Sequence, residues 1–380
     1  MFFKNFSINN YVKNQLDDLY YSNRVPHALL LNGQEGSGHF QFGLYLAKLL
    51  LCKNTNQSFC GECSSCKKSD TFQHPDLHFS FPIHLSKTNH SEKSDDQRQI
   101  FIEMLIKYKC IGKSTWYSLM GNENKQGVIG VKESQEVLKK LSLKSYEGGA
   151  KVLIMWLPEM MNVQSANKLL KLIEEPPAKT FFILISDNKE KLLPTISSRL
   201  QHIDVSPPSE KEIFSFLLNN FEIDELSAKK YSAYANGNLH RAINFHFNSS
   251  HNSDYLPFFI KWMRLCYSRN IADTIDWVNE ISKMGREQLK EFLLYNLEMF
   301  RNCVIGHYKV NFKTLNDEEM AFLEKFKPYI NHNNIIPLND LINEAYFHIE
   351  RNANTKILML DVSIKIFKLL KNSVYQIKKV

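Results

Sequence analysis

The stretch Gly33-Gln34-Glu35-Gly36-Ser37-Gly38-His39-Phe40 has the outline of a phosphate-binding loop, G-x-x-x-x-G-K-[ST], with both chemical positions changed. Before it, Ala28-Leu29-Leu30-Leu31 reads as a buried strand, and after it Phe40, Leu44, Ala47 and Leu51 recur at helical spacing. Strand, glycine turn and helix thus follow in the order such a loop requires, which predicts an ATPase type of α/β fold. The chemistry does not follow. His39 replaces the lysine that would neutralise the outer phosphates, and Phe40 replaces the hydroxyl that would hold magnesium. A nucleotide at Gly33, Gly36 and Gly38 would rest on backbone amides and the helix start alone. The expectation is a fold that has lost its own hydrolysis, with ATP not bound by this chain.

Working outward, residues 9–27 predict one helix, closed by Pro26. Downstream of the loop helix, Cys52, Cys60, Cys63 and Cys66 are spaced C-x7-C-x2-C-x2-C. Four thiolates brought together by a tight knuckle match tetrahedral, structural zinc; free thiols are the alternative. His74, within His74-Pro75-Asp76, reads as a loop residue and not a ligand.

Between about 82 and 127 the pattern becomes irregular. Residues 86–97 are polar and expected as a surface loop. Ile100, Met104, Leu105, Tyr108, Trp116 and Tyr117 then form an apolar set that either docks a partner or folds back on its own domain. Regularity resumes at Val128-Ile129-Gly130-Val131, followed by a helix with Glu133 and Glu136 in its first turn and Val137, Leu138 and Leu141 facing inward. Strands are expected at 152–156, 180–186 and 202–205. A helix over 163–174 would turn Val163, Ala166, Leu170 and Ile173 to one face and stop at Pro176-Pro177. This alternation over 28–205 predicts a doubly wound parallel sheet. In a hydrolase the strand at 152–156 would end in an acidic pair, but Trp156 and Leu157 stand there and Glu159 comes too late.

The chain has 380 residues, enough for two or three domains, and 43% are hydrophobic. Its net charge of +7 suits either contact with a polyanion or an ordinary solvated surface. No apolar run reaches the 18 or so residues of a membrane span, and the start lacks a signal-peptide core, so a soluble, cytoplasmic protein is expected. Seven cysteines in such a chain do not suggest a disulfide scaffold.

Five features occur in the order found in bacterial clamp-loader subunits of the AAA+ superfamily, and over residues 9–246 the chain resembles that family. They are Gly33 to Gly38, the cysteine knuckle, His74-Pro75-Asp76, Asn167-Lys168-Leu169-Leu170-Lys171-Leu172-Ile173-Glu174-Glu175-Pro176-Pro177, and Leu193-Pro194-Thr195-Ile196-Ser197-Ser198-Arg199. The segment near 82–127 is an insertion, and beyond 250 the resemblance is thin, though Asn352-Ala353-Asn354-Thr355-Lys356 is similar to the start of the family's last helix. The resemblance implies an AAA+ P-loop NTPase-like sheet domain over 1–205, a helical lid over 206–248 and an all-α collar over 253–380 that holds a ring of subunits. It implies gamma/tau and delta clamp-loader subunits as partners, with the sliding clamp and primer-template DNA in the complex.

Ser198 and Arg199 match the family's Ser-Arg-Cys motif, with Leu200 in place of cysteine. The resemblance implies that Arg199 reaches ATP on a neighbouring subunit as an arginine finger; a structural ion pair is the alternative. Active relatives carry arginine where His240 stands. The reading is a non-hydrolysing subunit that completes the ring, supplies Arg199 in trans and helps load the clamp onto primed DNA. Two others compete: an active gamma/tau-like ATPase, and a zinc-bearing nucleic-acid adaptor outside replication. His246, Asn248, Ser249, Ser250, His251, Asn252 and Ser253 read as a linker. Further on, Ile357, Leu360, Ile364, Phe367, Leu370 and Val374 form a helical stripe that fits a core or an interface. Six lysines between Lys356 and Lys379 fit DNA contact or a solvated face.

Overall fold

The computed structural model describes residues 8–54, 58–84, 92–121, 127–247, 255–307, 315, 317–351 and 353–377. The chain divides into two compact units, 1–244 and 245–380.

The first unit is built on five parallel strands: β1 (Ala28–Gly33), β2 (Leu77–Ser80), β3 (Lys151–Trp156), β4 (Thr180–Ser186) and β5 (Gln201–Val205). Their order is β2-β3-β4-β1-β5, so β1 lies inside the sheet. Consecutive apolar residues in β1, β3 and β4 follow from burial on both faces. Leu29, Leu31, Val152, Ile154, Ile183 and Ile185 enter one core, and their neighbours Leu30, Leu153, Phe182 and Leu184 enter the other. The short β2 is missing from the sequence reading, since four residues are too few to show a period.

Helices of this unit are α1 (Asn10–Tyr21), α2 (His39–Leu51), α3 (Ser64–Asp70), α4 (Arg98–Tyr108), α5 (Lys113–Leu119), α6 (Val131–Ser142), α7 (Val163–Glu174), α8 (Pro194–Ser197), α9 (Glu210–Asn220) and α10 (Glu225–Ala235), with α11 (Leu239–Phe247) at the boundary. Residues of α2, α4 and α5 fill the first core, and those of α6, α7 and α8 the second. Gly43 lets α2 lie close on the sheet, because a Cβ there would come within 2.6 Å of Ile185 Cδ1.

Several expectations are corrected. The first helix ends at Tyr21 and not near Pro26; the Ser22 hydroxyl donates to Asp18 O at 2.6 Å and closes it. Glu136 lies in the second turn of α6, with only Glu133 acidic in the first. Val163 is 59% exposed, and the buried face of α7 is Ser165, Ala166, Leu169 and Ile173. A pattern of apolar residues overlooks Ser165, which is buried because the small Ser134 meets it from α6, donating to Ser165 O at 3.1 Å. The segment 82–127 is not irregular throughout: it contains α4 and α5, and Phe101, Met104, Leu105 and Trp116 fold back into the first core. Of the expected loop at 86–97, residues 86–91 lie outside the described residues, and Ser94 to Gln97 form a 3-10 turn.

The second unit is helical throughout its described residues: α12 (Tyr255–Ser268), α13 (Ile271–Ile281), α14 (Arg286–His307), α15 (Asp317–Phe326), a short 3-10 turn, α16 (Ile335–Glu350) and α17 (Thr355–Ile377). Its own core centres on Trp262 stacked on Trp277, 5.0 Å apart. The stripe expected on α17 divides between core and surface, because the buried face runs in a different phase, with Phe367 and Leu370 in the core and Leu360 half-buried. Ile357 and Ile364 are exposed, whereas Met359, Val362, Ser363, Ile366, Phe367 and Leu370 are buried. Buried Ser363, whose hydroxyl accepts from Trp262 Nε1 at 2.8 Å, sets that phase and is invisible to an apolar pattern. Val374's side chain lies outside the described residues, as does most of the expected linker. Among the described residues no helix is long and apolar enough to cross a membrane.

Candidate functional site

The glycine loop leaves β1 at its carboxyl end, where parallel α/β sheets carry their ligands. Ser37 N donates to Gln34 O at 2.9 Å, and Gly36 and Gly38 take positive φ values of 81° and 85°. Helix α2 begins at His39, which is buried at the first helical position. Its Nδ1 lies 2.9 Å from Ser37 Oγ, and its Nε2 lies 2.8 Å from Asp187 Oδ1. The imidazole is thus committed within the chain.

Phe40, at the magnesium-ligand position, is 2% exposed. Its ring packs edge-on against Phe101 at 6.1 Å and Trp156 at 6.2 Å, and Phe101 also stacks on Phe81 at 3.9 Å. Trp116 joins the cluster, its Nε1 donating to Pro82 O at 2.7 Å. Where a hydrolase would gather a hydroxyl, an acidic pair and a metal ion, this chain gathers aromatic rings from α2, α4, α5 and β3.

Asp187, just beyond β4, was missed by the sequence reading. A polar residue at the carboxyl end of an apolar strand was the available signal. One oxygen meets His39, and the other lies 2.8 Å from Lys113 Nζ. Burial opposes its charge, yet the His39 bond and the Lys113 cation hold its pKa below the ordinary value. Lys113 answers in kind: burial disfavours its charge, and Asp187 outweighs burial and raises its pKa. Glu159, read as too late in sequence, comes back to this cluster and accepts from Asp187 N at 3.1 Å. Burial, with Asp187 second, pushes the Glu159 pKa up. Nothing in the sequence signalled Lys113, because no pattern fixes how an insertion folds back.

Helix α11 closes on the loop. Leu239 N donates to Gly36 O at 2.9 Å, and a Cβ on Gly36 would fall 2.0 Å from Asn238 Oδ1. His240 is buried. Its Nδ1 donates to Cys110 O at 3.3 Å, which leaves Nε2 to accept from Thr115 Oγ1 and Asn244 Nδ2, each at 3.1 Å. Burial lowers its pKa to about 4, so it is neutral near pH 7.

Arg199 and Ser198 follow the short helix α8 and are exposed, away from Phe40 in sequence and outside the aromatic cluster. Arg199 Nε pairs with Glu174, and Nη1 donates to Thr195 O at 2.7 Å and to Ser198 Oγ at 3.4 Å. An exposed pair of this kind contributes under about 1 kcal/mol.

Cys52, at the end of α2, and Cys60, Cys63 and Cys66, around the start of α3, place all four sulfurs within 4.8 Å of one another. Cys52 Sγ lies 3.7 Å from Cys60 Sγ, and Cys60 Sγ lies 4.0 Å from Cys66 Sγ. Four sulfurs about 2.3 Å from one zinc would stand at about this spacing, so the set fits a structural zinc. Backbone N–H groups of Cys60, Cys63 and Cys66 point at the sulfurs at 3.4 Å, as thiolates require. Burial raises the Cys63 pKa, but backbone N–H groups of Lys53 and Cys66 bring it down to about 6. His74 stands outside the cluster, its Nδ1 accepting from Asp76 N at 3.1 Å.

A five-stranded parallel sheet with a glycine loop on an inner strand, and a helix, α11, bearing on that loop, defines an α/β protein of P-loop-like fold. Within that class, the family described as DNA polymerase III, delta subunit, matches residues 8–209, and the chain belongs to that family. It is similar to DNA polymerase III subunit delta' of Yersinia pestis, 31% identical over 188 residues, which cover 49% of this chain and 43% of that one. Against the same subunit of Escherichia coli (strain K12) it is 27% identical over 222 residues, 57% and 54% of the two chains. It is also 27% identical over 250 residues to DNA polymerase III subunit gamma of Buchnera aphidicola, covering 64% and 56%. The chain thus spans about half the length of the curated relatives it matches. Among solved structures, a DNA polymerase III gamma subunit-related protein of Thermotoga maritima aligns over 94% of this chain and 99% of its own, with a TM-score of 0.39 and 12% identity.

Proposed function

We propose that the chain is a delta-prime-like subunit of a bacterial clamp loader that does not hydrolyse ATP itself and offers Arg199 to ATP on a neighbouring subunit. The observation that carries this reading is the filling of the nucleotide site from within. Phe40 sits among Phe101 and Trp156, and His39 is bonded to Asp187. These residues do not fit a magnesium nucleotide: Phe40 offers no oxygen at the metal-ligand position, and both ring nitrogens of His39 are engaged within the chain. Arg199, by contrast, is exposed and held by weak contacts that a phosphate would replace. Four cysteines would hold a structural zinc. The partners in this reading are gamma/tau and delta subunits, the sliding clamp and primed DNA.

The test is ATP turnover by the isolated chain and by the assembly reconstituted with its gamma-type and delta-type partners. The isolated chain is expected to be silent. In the assembly, Arg199→Ala is expected to slow hydrolysis at the neighbouring site by about 10³-fold, seen as the loss of that site's share of the total. Turnover by the isolated chain would return the reading to a gamma-like ATPase, and an unchanged assembly rate would leave Arg199 a surface ion pair.

A further inference from the structure

Residues 109–116, the connection after α4 and the first turn of α5, meet α2, the glycine loop and the helices that follow the sheet. On the α2 side, Gln41 Nε2 donates to Lys109 O at 2.6 Å. On the lid side, Lys109 Nζ donates to Asn220 O at 2.6 Å, and Cys110 O and Thr115 Oγ1 meet the two ring nitrogens of His240. Against the loop itself there is no spare room. A Cβ on Gly112 would lie 2.2 Å from Glu35 Oε1 and 2.3 Å from His240 Cδ2, so only glycine passes between loop and lid. Next to it, Lys113 brings to Asp187 the cation that position 39 lacks. Trp116, fully buried in the aromatic cluster, anchors the segment from below.

We infer that this segment is the chain's own substitute for a nucleotide, a strap that bridges glycine loop and lid and fixes the lid without any ligand. A bound nucleotide would have to displace Gly112 from between Glu35 and His240 and Lys113 from Asp187, breaking a buried ion pair and leaving the carboxylate only its bond to His39. The lid angle in this chain is therefore set by covalently attached residues and does not follow nucleotide. The strap rests on the reading above that this chain holds no magnesium nucleotide, and does not require the assembly itself.

Hydrogen–deuterium exchange on the full chain tests it, comparing Leu239 and Ala242 in the lid with Leu30 and Leu184 in the sheet, in wild type, Lys113→Met and Gly112→Val. Loosening the strap is expected to speed exchange in the lid by about 30-fold or more while the sheet stays within about threefold, because the lid then opens by itself. Lys113→Arg, which keeps the cation, should restore the protection. Adding magnesium ATP to wild type should leave lid exchange unchanged. Unchanged lid exchange in both variants, equal acceleration of lid and sheet, or ATP-driven protection of the wild-type lid would each overturn the inference. If Lys113→Met does not fold, Gly112→Val decides the matter.

Discussion

His240 lies among Cys110, Thr115 and Asn244, with Glu35 3.9 Å away, and burial brings its pKa from 6.5 to about 4. Because the folded value is the lower one, the unfolded chain binds the extra proton first. The contribution is full above pH 6.5 and is lost as pH falls towards 4, amounting to up to ~3 kcal/mol. We expect His240→Asn to flatten the fall of stability between pH 6.5 and 4 relative to wild type, as read by urea unfolding at several pH values; parallel curves would refute this. Phe101 is a second residue of consequence, since its ring meets those of Phe40, Phe81, Trp116 and Trp156. Phe101→Ala should cost about 3–5 kcal/mol, and a loss below about 1 kcal/mol would mean that the insertion is dispensable to the core.

At the scale of elements, the cysteine knuckle does more than carry sulfurs. Glu147 joins it to the turn before β3, accepting from Lys53 and Lys68 at 2.7 Å each and from Ser65 at 2.9 Å. Those lysine bonds bring the Glu147 pKa down to about 2. The same turn is fixed from the other side by Asp76, which accepts from Tyr146 N at 2.7 Å and Glu147 N at 2.9 Å. One zinc per chain is expected on elemental analysis of freshly purified protein. Its removal with a chelator should speed amide exchange in residues 58–70 while β1 and β4 keep theirs, since their core contains none of the cysteine ligands. Equal loss across the sheet, or no bound metal, would go against a local structural role.

For the molecule as a whole, the cores are separate. The core cluster of the helical unit is drawn from residues 255 to 370, and the two core clusters on the faces of the sheet from residues 12 to 205. Each therefore has the apolar interior that folding requires. A fragment of residues 253–380 expressed alone is expected to be helical and to melt cooperatively in circular dichroism. A gradual melt would show that the second core is incomplete by itself.

The sequence by itself determined the alternating parallel sheet, the place of the glycine loop, the loss of its lysine and hydroxyl, and the grouping of Cys52, Cys60, Cys63 and Cys66. Those features are local: a period, a motif spacing or a residue type that bears its chemistry wherever it stands. It placed Val163 on the buried face of α7, where Ser165 is buried instead, and it could not divide the α17 stripe, because buried serines at 363 and 165 shift the phase of a pattern read from apolar residues alone. Only the tertiary structure decided what packs around the glycine loop. Lys113 meets Asp187, and Gly112 passes between Glu35 and His240, pairings far apart in the chain and made by the fold of an insertion, and such non-local pairings leave no spacing in the sequence from which they could be read.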